Sequence, residues 1–85
     1  MTDNDIKCRD FIVSLAGRDK GRIFIVADVI SNEYVTITDG MLRSIEKPKK
    51  KKRKHVKRID VSPYEGIISN RAVAKTVKIL ISELS

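Results

Sequence analysis

The stretch Phe11-Ile12-Val13-Ser14-Leu15-Ala16-Gly17-Arg18-Asp19-Lys20-Gly21-Arg22-Ile23-Phe24-Ile25-Val26 decides the fold. Two runs rich in β-branched and aromatic residues flank a polar loop with a glycine at each end, the pattern of two antiparallel strands joined by a short connection. In the first run, Phe11, Val13 and Leu15 fall on one face. The second extends from Arg22 to Ile30 and is the longest strand candidate. Ile23, Ile25, Ala27 and Val29 share one of its faces, and Phe24 and Val26 on the other imply burial on both sides near its middle.

Downstream, Ser31-Asn32-Glu33 reads as a turn, and Tyr34-Val35-Thr36-Ile37-Thr38 alternates with Val35 and Ile37 inward. Asp39-Gly40 is a hairpin signal, because a two-residue primed turn needs the positive φ that glycine accepts cheaply, so Met41–Ile45 is expected as the returning strand. Several short strands in close succession predict a mostly β protein, a small barrel. Glu46 to Lys54 reads instead as a solvated arm: Pro48 lacks a donor, and the six consecutive basic residues Lys49 to Lys54 repel one another. Val56, Ile59 and Val61 restore strand character and could close the sheet.

After the turn Ser62-Pro63-Tyr64-Glu65-Gly66 the apolar period changes towards 3.6. Ser69 is the expected N-cap of a C-terminal helix, with Val73, Val77, Leu80 and Leu84 on one face and Arg71, Lys75 and Lys78 opposite. An isolated helix of that length is marginal in water, so the apolar face is expected to pack on the barrel. The expected organisation is a barrel over residues 1–61 including a basic arm at 46–58, then a linker and helix over 62–85, forming one domain overall.

The chain has 85 residues, 41% of them hydrophobic and 5% aromatic, so a single, mostly aliphatic core is all it can build. Ile23 to Ile30 is interrupted by Asp28 and falls far short of the roughly 20 apolar residues that cross a bilayer. Met1 to Asp10 is polar and acidic, unlike a secretory leader, which favours a cytoplasmic setting. Cys8 stands alone, so neither an internal disulfide nor a Cys/His metal site is expected.

The formal net charge of +7 is unevenly spread. Between Arg43 and Arg58 ten basic residues face Glu46 alone, so that segment carries +9 and the rest of the chain −2. A near-neutral body with one basic strip concentrates a field that attracts a polyanion.

The loop Gly17-Arg18-Asp19-Lys20-Gly21 followed by Ile23 to Val26 resembles the KOW motif, a strand–loop–strand unit of ribosomal proteins and transcription factors. Ser14 to Gly21, Asp39-Gly40, Arg43, and the Lys47-Pro48 lead into a Lys-rich run ending in Lys54-His55 are similar, in the same order, to small KOW proteins related to the large-subunit ribosomal proteins of the fourteen-e type. The resemblance spans about residues 6 to 60. It implies an SH3-like barrel and an RNA partner, ribosomal RNA first, with ribosomal proteins as neighbours. One departure is Arg9, where such proteins usually carry a glycine before the first strand.

Within that frame Arg18, Lys20 and Arg22 are expected to contact RNA from the glycine loop, while Gly17, Gly21 and Gly40 shape the backbone. Arg43, Lys47, Lys49, Lys50, Lys51, Lys52, Arg53, Lys54, His55, Lys57 and Arg58 complete the expected interface, since lysine follows a phosphate backbone without reading sequence. Phe11 and Phe24 read as core. Tyr34 and Tyr64 are available either for stacking or for half-buried packing, and the lack of paired strand aromatics favours folded RNA over loose single strands. No nucleophile, base and orienting group form a constellation, and no P-loop is present, so no enzyme, cofactor, small-molecule substrate or metal is expected. Two other classes stay open: a module docking on a translation or transcription factor, through Val73, Val77 and Leu84 if that face were free, and weak polybasic adhesion to anionic membranes.

Overall fold

A computed structural model describes residues 6–84, so Met1 to Asp5 of the expected 1–61 unit and Ser85 lie outside the described residues. Five strands form one antiparallel sheet: β1 (Phe11–Ser14), β2 (Ile23–Val29), β3 (Tyr34–Thr38), β4 (Lys49–Lys52) and β5 (Val56–Arg58). Helix α1 (Asn70–Leu84) follows. The strand order is β4-β3-β2-β1-β5. The two edge strands are thus consecutive in the chain, bridged only by a 3-10 turn at Arg53–His55. The sheet curls far enough to bring its ends near each other, yet no backbone ladder joins β4 to β5, and it stays open.

The middle strands β1 and β2 are buried on both faces, as the mixed pattern of β2 requires. Ile12, Phe24, Val26, Val35, Ile37 and Val56 meet on the concave side, together with Ile6. Phe11, Ile23 and Ile25 on the other side pack with Tyr64 and with Val73, Val77 and Leu80 of α1. The helix therefore does cover the sheet, and Ser69 caps it, its Oγ accepting from the Ala72 N–H at 3.2 Å. Leu84 departs from expectation: it is 55% exposed, at the border of a hollow it shares with Met41 and Ile81. Arg71, Lys75 and Lys78 are exposed, as their spacing predicts.

The facing of two strands differs from the simple alternation. In β1 the buried residues are Phe11, Ile12 and Ser14, whereas Leu15 lies beyond the strand and is exposed; an inner strand covered on both sides has no solvent face to alternate with. In β2 the register with β3 shifts between Val26 and Asp28. That bulge inserts one residue and reverses the phase, so Val29 packs with Phe24 and Val26 rather than with Ile23 and Ile25.

Met41–Ile45 is not the returning strand. Asp39, fully buried, accepts from the N–H groups of Met41 (2.9 Å) and Arg43 (3.0 Å), while the Asp39 and Gly40 N–H groups donate to the Arg43 carbonyl. The Ile45 N–H donates to Asn70 Oδ1 at 2.8 Å. With the Met41, Arg43 and Ile45 N–H groups committed to the loop and to the helix start, none of these three is left for a ladder. The strand that returns beside β3 is Lys49–Lys52, with Tyr34 opposite Lys52 and Val35 opposite Lys51. Gly40 has a second role besides its φ of +73°: a Cβ there would stand 2.2 Å from the carbonyl oxygen of Asn70. Only glycine lets the loop lie against the first turn of α1.

Candidate nucleic-acid interface

The Lys49–Lys52 segment is no free arm, and the pleat sorts its four identical side chains into two classes. Alternate residues of a strand face opposite sides. Lys49 and Lys51 point the same way as Ile37 and Val35, into the concave side, whereas Lys50 and Lys52 point outward with Thr36 and Tyr34. Lys51 is 7% exposed. Its Nζ donates to Asp19 Oδ1 at 2.8 Å and to the Ala16 carbonyl at 2.8 Å. Lys49 Nζ reaches the other oxygen, Oδ2, at 3.1 Å, and the Ser14 hydroxyl donates to Asp19 Oδ1 at 2.7 Å.

Asp19 thereby gains a full set of donors. Burial alone would raise its pKa, but the hydrogen bonds from Lys51, Ser14 and Lys49 outweigh this and hold the carboxyl well below its ordinary value. The same cluster ties edge strand β4 to the loop after β1, a side-chain bridge between parts of the sheet that no ladder connects. Lys51 is therefore a structural residue and not a phosphate contact. Arg53 also has structural work, its guanidinium donating to the carbonyls of Ser31 (3.3 Å) and Ile6 (3.4 Å).

The remaining expected residues fall into groups. Arg18, Arg22, Arg43 and Lys49, drawn from three separate segments, line one concavity of about 260 Å³ with Leu42 at its rim and Phe24 at its base. Arg22 is half tethered, its guanidinium 3.7 Å from the buried Asp39 carboxylate. That contact aims the side chain while leaving it 46% exposed. Lys20 is exposed in the same loop, whose ends Gly17 and Gly21 both take positive φ, +85° and +86°. Lys47 is exposed on the lead into β4.

On the outer face, Lys50 and Lys52 border a second, more open cavity together with Gly17, Tyr34 and His55. Lys50 Nζ sits 4.3 Å from the centroid of the Tyr34 ring. Lys54 is exposed in the 3-10 turn, beside a third concavity shared with Lys52 and Arg53. Lys57 and Arg58 belong to β5, at the far end of the strand order from β4. Tyr64 is core: it is 6% exposed, meets Phe11 edge to face, and donates its hydroxyl to the Ile67 carbonyl.

The two carboxylates that organise the basic residues, Asp19 and Asp39, were invisible as such in the sequence. A loop aspartate ordinarily reads as a turn former, and a run of four lysines has no alternation from which a strand phase could be taken. No protein-family model matches the chain, and no curated protein matches it in sequence.

Proposed function

We propose that the protein binds folded RNA, ribosomal RNA first, through the concavity of Arg18, Arg22, Arg43 and Lys49 and the outward lysines Lys50 and Lys52, and that its sheet is an SH3-like barrel of KOW type acting in the cytoplasm. The observation that carries this is convergence. Basic side chains from the glycine loop, the 41–45 loop and β4 gather round one hollow, with Asp39 holding Arg22 and Asp19 holding Lys49 from behind. A cluster of like charges costs folding energy, and fixing it in place is what a phosphate site requires.

The barrel reading is supported by edge strands that follow one another in the chain and by Lys51, which ties edge strand β4 to the loop after β1. It is supported too by Arg9, which has φ +72° where the resembled proteins carry glycine. The Arg9 guanidinium donates to the carbonyls of Tyr64 and Gly66 and lies over the Tyr64 ring, contacts that offset the strained backbone. No catalytic, cofactor or metal role is assigned to any residue.

The test is fluorescence anisotropy with folded rRNA fragments across a salt series. If six to ten phosphates are contacted, affinity falls about 10³–10⁵-fold between 50 and 200 mM salt. The double variant Arg18→Gln/Arg43→Gln should bind more weakly to every sequence and lower the log–log salt slope by about 2. An absence of affinity at 50 mM salt, or a slope indifferent to that variant, would sink the proposal.

A second reading, a protein-docking module, has one observation in its favour. Met41, Ile81 and Leu84, all exposed, border a hollow of about 290 Å³ floored by Ile23 and Val77. The face formed by Val73 and Val77 is not free for docking, because it is packed on the sheet. Partner capture that survives the arginine variant would favour this reading.

A further inference from the structure

We infer that Tyr34 and His55 form a stacking site for one unpaired base of the bound RNA; this rests on the RNA-binding reading above. The two rings are far apart in sequence, and β3 and the 3-10 turn bring them to one open cavity of about 460 Å³. Its other borders are Ala16, Gly17, Lys50, Lys51 and Lys52. Both rings are half-buried, held by the fold yet reachable from solvent.

The Lys50 ammonium covers one face of the Tyr34 ring, and that is the face a base would take. Tyr34 pairs with Lys52 across β3 and β4, and Lys50 pairs with Thr36, so Lys50 is the diagonal neighbour whose chain crosses the Tyr34 ring. An exposed cation over a ring is a weak contact. A planar base with its own π-face stacks more strongly. Entry of a base would displace the Lys50 ammonium towards the phosphate of that nucleotide, so one contact is exchanged for two. Lys52 faces the same cavity and supplies a second phosphate partner, while Lys51, which also borders it, keeps its ammonium on Asp19.

A base can reach such a site only if it is extruded from a helix, so the ligand is folded RNA with a bulged or looped-out nucleotide. The probe is an RNA hairpin with a single-adenosine bulge, set against the same hairpin fully paired. The wild-type protein should prefer the bulged hairpin by about 5- to 150-fold, the worth of one stacked base. Tyr34→Leu, which keeps a bulky strand residue but removes the ring, should erase the preference while leaving the paired hairpin and the salt slope unchanged. Tyr34→Phe should retain it. His55→Ala should reduce it, and Lys50→Gln should instead lower the salt slope by about 1.

Equal, steeply salt-dependent binding of both hairpins would overturn the stacking site and leave the RNA-binding reading standing. Persistence of the preference in Tyr34→Leu would overturn it too. Saturable uptake of free adenosine monophosphate without any preference for the bulge would point to a mononucleotide site and also count against it. Failure of both hairpins to bind at 50 mM salt would remove the RNA-binding reading and this inference together.

Discussion

Lys51 and Lys52 are neighbours in sequence and chemically identical, yet they belong to different parts of the protein. Lys51 lies inside the curled sheet, donating to Asp19 and to the Ala16 carbonyl. Lys52 lies outside, beside Tyr34 and His55. Lys49 and Lys50 repeat the division one step earlier. A basic run is thus not one functional object. Its inward half is held by Asp19, Lys51 buried and Lys49 kept at the edge of the arginine hollow, and its outward half stands free of that carboxylate, with the phase of the pleat deciding which is which.

The largest blow to this comparison would come from Asp19, which anchors the inward half. Asp19→Asn should leave two buried or half-buried ammonium groups without their counter-charge and cost about 3–5 kcal/mol, the usual penalty for breaking a buried pair. Urea denaturation would read it; a loss under 1 kcal/mol would mean that the inward lysines are not structural. Lys51→Ala should fall near the lower end of that range, about 3 kcal/mol, since Asp19 keeps Lys49 and Ser14.

The pH dependence sharpens the same point. The folded state holds the Asp19 carboxyl below its ordinary value of 3.8, so its contribution is complete above that value and drains away as pH falls below it. The wild-type protein should lose stability between about pH 4 and pH 2, and Asp19→Asn should lose less over that window. Equal acid sensitivity in the two proteins would place the titration elsewhere.

The smallest effect on stability belongs to the outward half. Lys52→Ala should change it by no more than about 0.5 kcal/mol, while lowering the salt slope of RNA binding by about 0.9. A large loss of stability with an unchanged slope would erase the distinction between the two halves.

Much of the fold was legible from the chain, for reasons visible in particular residues. Val35 and Ile37 alternate with threonines and are fully buried, and Phe24 and Val26 announced that β2 is covered twice. Ser69 followed by valines four apart gave both the start of α1 and its buried face. The failures share a cause. Met41–Ile45 has strand-like composition, but its donors go to Asp39 and Asn70, and no local pattern reports where a distant side chain will be. Val29 changed sides because a bulge adds one residue to the count. Of the candidate site, the basic residues were found, but their grouping into an Arg18–Arg22–Arg43–Lys49 hollow and a Tyr34–His55 cavity was not.

The sequence by itself determined that this chain is a small, mostly β protein with one C-terminal helix and a concentrated positive segment, because apolar period, glycine placement and charge are local properties. The tertiary structure alone decided which of those charges are available. A lysine's role depends on whether a carboxylate thirty residues away lies opposite its side of the strand. That is fixed only when the sheet curls and sets the loop carrying Asp19 against β4.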